Sequence, residues 1–310
     1  MRKGGLLSAE GAVTVAGPRA QATIANLRVG EGSSVILVGA INVSPESFYP
    51  GSVAPDVSTL VKRALGMVEA GANLIDLGAL STAPYRETAI SQEEEARRLS
   101  QAVAALVAEV PVPVSADTSR PIPARAALEA GARVLNDVTG LHDPEVAALA
   151  SRFHGLVLMA WGDGPWSGEP IERVGGLLHG ALMRAGAAGV PEERIVLDPG
   201  IGFFRRTGRP WHEWDSAVLG RLYDLLALGR PLCVAVSRKS FIGAIADREQ
   251  PEDRLPGSLA AAAIAVLHGA HLIRTHDVAE TRQAVRVAEA IRRFSAAPIR
   301  VARPTFGGCP

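Results

Sequence analysis

A chain of 310 residues, 47% hydrophobic and 21% charged, has room for a large core and the composition of a soluble folded protein, not of a disordered or membrane-embedded one. Its formal net charge of zero gives no general attraction for nucleic acid or an anionic membrane surface. Cys233 and Cys309 form no disulfide framework, the longest apolar run (259–267) is too short to span a bilayer, and the N-terminus lacks a signal peptide's apolar stretch, so a cytoplasmic location is expected.

Residues 1–34 precede the first strong pattern and are expected to cap the bottom of a barrel. Runs rich in Val, Ile and Leu then recur at 35–41, 73–79, 112–117, 133–137, 155–160, 194–200, 231–236 and 271–276. They lack polar alternation, as strands do when helices cover both faces of a parallel sheet. Amphipathic stretches at 57–72, 91–110 and 121–132 lie between them, with apolar residues at helical spacing and glycine near several ends. Within the second of these, EEEARR (93–98) reads as a solvated helix face. Eight strand–helix units predict an α/β fold, a single (β/α)8 TIM barrel over 35–295 with a tail at 296–310. A doubly wound open sheet is the competing architecture, but it seldom takes eight evenly spaced parallel strands.

A TIM barrel builds its site where strands end. The strand ends carry Asn42; Ser81 and Thr82; Asp117; Asn136 and Asp137; Met159; Asp198; the run Ser237, Arg238, Lys239, Ser240; and Arg274 with His276. Asp117, Asn136 and Asp198 offer acceptors and one amide to a flat heterocycle bearing N–H groups. Lys239, one of three lysines in the chain, joins Arg274 and His276 in a cluster suited to holding phosphate. Ser240 falls in the first turn of the next helix, where free N–H groups favour an anion. Asp76 and Asp137 read as structural, satisfying nearby backbone donors. The other histidines read as ordinary, and no zinc spacing, G-x-S-x-G or dinucleotide fingerprint is present.

GAINVSPESF, NLIDLGALST, SADTSRP, LNDVTG, LDPGIGF, SRKSFIG and LIRTHDVAET occur in the order that resembles dihydropteroate synthase, over residues 35–293. The resemblance implies a transferase of folate biosynthesis that joins p-aminobenzoate to 6-hydroxymethyl-7,8-dihydropterin diphosphate and releases diphosphate and 7,8-dihydropteroate. It implies that Asp117, Asn136, Asp198 and Lys239 hold the pterin ring. Asn42, Arg274 and His276 would bind diphosphate, with Mg2+ bridging Asn42 and the phosphate oxygens. Thr82 and Ser240 would face the aminobenzoate. Lys239, Arg274 and His276 would carry the catalytic charge stabilisation, and the protein would be a homodimer.

Some positions depart from the family pattern. Pro50, Gly51 and Ser52 stand where Asp-Gly-Gly is usual, and Leu80, Ala83 and Tyr85 replace Glu, Arg and Gly of the second lid loop. Arg86, Arg205 and Arg206 are the candidates to replace the lost arginine. Two other functions fit such a barrel: a non-catalytic pterin-binding paralogue, and a methyl-pterin:corrinoid methyltransferase. The methyltransferase would have no need of the cations at Lys239, Arg274 and His276.

Overall fold

The computed structural model describes residues 20–44, 56–80 and 90–294. Two short strands come first, β1 (Gln21–Ile24) and β2 (Leu27–Gly30), paired antiparallel. Ala25 and Asn26 turn between them with φ of 46° and 70°, the left-handed pair that a two-residue hairpin turn requires.

The barrel strands follow: β3 (Ile36–Asn42), β4 (Leu74–Gly78), β5 (Val114–Asp117), β6 (Val134–Asp137), β7 (Gly155–Met159), β8 (Ile195–Asp198), β9 (Cys233–Ala235) and β10 (Leu272–Thr275). All pair in parallel, in the order β8-β7-β6-β5-β4-β3-β10-β9. A parallel bridge between Leu197 and Leu232, with Leu197 N donating to Pro231 O at 2.9 Å, brings β8 against β9 and completes the ring. The expected barrel is what forms.

Helices alternate with these strands: α1 (Val57–Ala70), α2 (Gln92–Glu109), α3 (Pro121–Glu129), α4 (Pro144–Ala150), α5 (Pro170–Ala187), α6 (Trp211–Gly220), α7 (Ser240–Ala246), α8 (Leu255–Leu267) and α9 (Val278–Arg292). Their ends have local causes. Asp56, Ser91 and Asp143 cap α1, α2 and α4 by accepting from backbone N–H groups of the first turn. The repeated Gly-Ala before β4, β6 and β10 is one helix-stop used three times. Gly71, Gly131 and Gly269 take φ of 110°, 106° and 101°, and the alanine after each donates back into the helix at 2.9 Å.

Outward strand residues such as Ile75, Leu77, Leu135, Leu158 and Ile273 join the helices in the main core. Inward residues make a second core in the lower barrel: Ile36, Val38, Leu74, Val134, Val157, Val196, Cys233 and Leu272, closed from below by Ala22, Ile24 and Val29 of the hairpin. The hairpin therefore plugs the barrel bottom. Gly155 permits this, because a Cβ there would lie 2.5 Å from Ile24 Cβ.

Candidate active site

Strand parity decides which polar residues reach the barrel interior. Leu74, Val134, Val196 and Leu272 fill the lower layer, so Asp76, Asn136, Asp198 and Arg274, two residues further on, face inward one layer higher. Asp137, one residue past Asn136, points out. Its carboxylate accepts from Thr139 N at 2.8 Å, Thr139 Oγ1 at 2.7 Å and Leu141 N at 2.8 Å, tying down the loop before α4. Asp137 is structural, as expected. Asp76 is not: it belongs to the centre of the site, and the expectation that it only satisfies backbone donors is corrected.

Arg274 links the layer. Its Nε donates to Asp76 Oδ2 at 2.6 Å and its Nη2 to Asp117 Oδ2 at 2.9 Å, while Asn136 Nδ2 donates to Asp76 Oδ2 at 3.1 Å. Two carboxylates share one guanidinium, so negative charge is in excess. Burial pushes the Asp117 carboxyl up to about 7, against the pull of Arg274 and with repulsion from Asp76. Burial also raises Asp198, whose Oδ1 accepts from Gly200 N at 2.8 Å. Burial works against the charge on Arg274, but Asp76 and Asp117 outweigh it and hold that charge firmly. Asp76 Oδ1 and Asp117 Oδ1 are buried and have no hydrogen-bond partner in the protein. Buried acceptors without donors are costly, so this layer is built to receive N–H groups.

Lys239 lies beside it. Its Nζ donates to Ile201 O at 2.7 Å and sits 4.5 Å from the centre of the Phe203 ring. Gly202 takes φ of 87°, and a Cβ there would lie 2.8 Å from Lys239 Cδ, so the loop after β8 wraps the lysine closely. Burial lowers the ammonium to about 8, while Asp198 and Asp215 oppose that shift. Asp215, on α6, is itself pushed up to about 6 by burial and accepts from Gly202 N at 2.9 Å.

His276 Nδ1 lies 3.0 Å from Ser237 Oγ. Burial, with Arg274, Arg238 and Lys239 nearby, lowers its imidazole to about 3. His276 is therefore neutral, which corrects the expectation of a third cation. A cavity of about 330 Å3 beside it, lined also by Arg63, Asp277 and Glu280, opens between α1 and α9. Arg238 locks this corner. It is 6% exposed, takes a left-handed φ of 55° and forks onto Asp277 at 2.7 and 2.9 Å. Its Nη1 donates to Pro251 O and Glu252 O. Arg238 precedes Lys239 and Asp277 follows His276, so one ion pair fixes the backbones that carry both site residues.

Glu95 supplies similar support from α2. It is 1% exposed and accepts from Thr118 Oγ1 at 2.6 Å and Arg120 Nη1 at 3.0 Å, bracing the loop after Asp117. Glu94, Arg97 and Arg98 pair on the more open side, so only part of EEEARR is the solvated face expected.

Ser240 opens α7, and its Oγ accepts from Arg205 Nη2 at 2.5 Å. Asn42 ends β3. A Cβ on Gly78 would lie 3.1 Å from Asn42 Oδ1 and 3.7 Å from Asp117 Oδ2, so Gly78 leaves these two oxygens a shared recess. Among the described residues, no group of three or more His, Cys, Asp and Glu side chains could hold a metal ion. The oxygen of Asn42 suits a hard cation that takes most of its other ligands from water and phosphate.

The structure thus brings Asn42, Asp117, Asn136, Asp198, Lys239, Ser240, Arg274 and His276 to one mouth. Thr82, like Ser81, Pro50–Ser52, Ala83, Tyr85 and Arg86, lies outside the described residues. Sequence reasoning missed Asp76, Phe203, Asp215 and the Arg238–Asp277 lock. Counting two residues on from Leu74 would have found Asp76. Asp215 sits on a helix far along the chain and left no signal.

A family model described as pterin binding enzyme matches residues 38–276. The chain is similar to dihydropteroate synthase of Synechocystis sp., 36% identical over 272 residues that cover 84% of this chain and 92% of that protein. Against dihydropteroate synthase of Escherichia coli the identity is 35%, over 82% of this chain and 90% of that one. A solved Xanthomonas albilineans dihydropteroate synthase with 4-aminobenzoic acid superposes with a TM-score of 0.78 at 35% identity, covering 89% of this chain and all of that one.

Proposed function

The chain belongs to the pterin-binding enzyme family, among its dihydropteroate synthases, and we propose that the barrel mouth works as a charge-stabilising alkyl transferase without a protein nucleophile. It condenses 6-hydroxymethyl-7,8-dihydropterin diphosphate with p-aminobenzoate, giving 7,8-dihydropteroate and diphosphate. The observation that carries the reading is the buried acceptor layer, Asp76 Oδ1 and Asp117 Oδ1 without donors above the Arg274 network.

Asp117, Asn136 and Asp198 take the N–H groups of the pterin edge, and Lys239 donates to its acceptors. Asp76 offers its open Oδ1 to the same edge, and through Oδ2 it holds Asn136 and Arg274 at the positions the ring meets. Asn42, Arg274 and His276 face the diphosphate, His276 as a neutral donor. Asn42 would hold Mg2+, which would supply charge neutralisation to the leaving diphosphate. The bond between the pterin methylene carbon and the diphosphate oxygen breaks with its electron pair on oxygen. The aniline nitrogen then bonds to that carbon and yields a proton to solvent. Preorganised charge around Lys239 and Arg274 favours the separated state over the neutral reactant, which is where the catalysis lies. Thr82 and Ser240 face the aminobenzoate.

The active form is a homodimer in the cytoplasm. Val287, Ile291 and Phe294 form an exposed apolar row at spacings of four and three along α9 and its end, and Ile264 and Leu267 a pair on α8; these supply the face for a second copy. No helix among the described residues is long and apolar enough to cross a membrane. Sedimentation of Val287→Glu with Ile291→Glu tests the assembly: monomers are expected, and an unchanged dimer rejects this face.

Diphosphate release tests the reaction. The purified protein receives the dihydropterin diphosphate and Mg2+, with and without p-aminobenzoate. Release that depends on p-aminobenzoate, matched by dihydropteroate, is the expected result. Pterin binding without product would make the protein a non-catalytic pterin binder.

A further inference from the structure

Arg205, Arg206 and Arg209 all lie in the loop between β8 and α6, but they differ in what they do. Arg206 is exposed, and Arg209 reaches Glu169 at 3.5 Å on the outer surface. Arg205 turns toward the mouth. Its Nη2 donates to Ser240 Oγ at 2.5 Å, and its guanidinium carbon stands 4.1 Å from the centre of the Trp211 ring. Stacking on the tryptophan restricts the plane of the guanidinium, so the fork of N–H groups keeps a set direction.

We infer that Arg205 is the specificity-determining residue that, with Ser240, takes the carboxylate of the second substrate. This rests on the synthase reading above and adds to it the group that selects an aromatic acid over a neutral aromatic amine. A serine oxygen that accepts from Arg205 still has its own hydrogen to give. The pair therefore offers an O–H and a planar guanidinium side by side, which matches the two oxygens of a carboxylate. Ser240 directly follows Lys239, and the Phe203 ring, two residues before Arg205, lies under the Lys239 ammonium. The clamp thus stands beside the pterin end of the site, with each cation against its own aromatic ring, Lys239 on Phe203 and Arg205 on Trp211. Arg205 comes from a barrel loop packed on α6 and α7, so the selection does not depend on the altered lid positions.

The test compares 4-aminobenzoate with its neutral isostere 4-aminobenzamide. Calorimetric binding to the pterin-loaded protein and steady-state turnover are both measured for wild type, Arg205→Met and Arg205→Lys. Arg205→Met is expected to weaken 4-aminobenzoate about 10- to 100-fold, the size of one charge-assisted hydrogen bond, and 4-aminobenzamide less than about 3-fold. Arg205→Lys should recover part of the loss, because it restores the charge without the fork. Equal losses for acid and amide, or no loss for the acid, overturn the proposal. Unchanged pterin binding in each variant excludes misfolding. A wild type that binds the acid selectively but forms no product would reject the synthase reading and leave the carboxylate clamp standing, since the binding arm decides it alone.

Discussion

Asp76 and Asp137 are both fully buried aspartates on barrel strands, yet they face opposite ways, and exchanging each for asparagine separates site from scaffold. Asp76→Asn keeps the shape but removes one of the two carboxylates that hold the Arg274 guanidinium, at 2.6 Å, and weakens the acceptor for Asn136. Removing one partner of a buried ion pair costs about 3–5 kcal/mol, and Asp117 still holds Arg274, so about 3 kcal/mol is expected. At about 2–4 °C per kcal/mol, the melting temperature should fall by about 6–12 °C. Asp137→Asn loses charge assistance on the bonds to Thr139 and Leu141, so about 1–3 kcal/mol of stability should go. The two part company in kinetics. Asp76→Asn should lower kcat/KM for the dihydropterin diphosphate at least about 100-fold, equivalent to about 2.7 kcal/mol. Asp137→Asn should leave it within about 3-fold, because none of its bonds reach the barrel interior. Thermal melts and steady-state rates are measured side by side. Near-normal kinetics for Asp76→Asn, or equal kinetic losses for both variants, would refute the inward–outward assignment.

Three more predictions follow from the same geometry. Asp117, raised to about 7, is a neutral acid below that pH and loses its full acceptor capacity, whereas Lys239, lowered to about 8, loses its charge above it. The pH profile of kcat/KM for the pterin substrate should therefore rise near 7 and fall near 8, and Lys239→Arg should abolish the alkaline fall; a profile flat from 6 to 9 rejects both assignments. Arg238→Lys keeps the charge but loses the fork onto Asp277, so kcat should drop about 10-fold as Lys239 and His276 lose their fixed spacing; if only the melting temperature moves, the lock is structural alone. Gly155→Ala should destabilise by about 1–3 kcal/mol by driving a Cβ against Ile24 Cβ and should spare kinetics, while Ile24→Gly in the same chain, which removes that Cβ, should cost less than the two separate losses added together; strictly additive melts would show that the hairpin does not seat against Gly155.

The sequence by itself determined the barrel. Eight apolar runs without alternation require a sheet covered on both sides, and the Gly-Ala helix stops repeat because the same turn recurs at Gly71, Gly131 and Gly269. It also delivered Asn42, Asp117, Asn136, Asp198, Lys239, Ser240, Arg274 and His276 to one mouth, since a strand end is a local property and the fold gathers all such ends together. What only the tertiary structure decided is how these groups pair. Arg274 meets Asp76 across 198 positions of chain, and Arg238 meets Asp277 across 39, distances over which no local pattern carries information. Charge state belongs to the same level. His276 is neutral and Lys239 only weakly basic because burial withdraws water from them, and burial exists only once the whole barrel has closed.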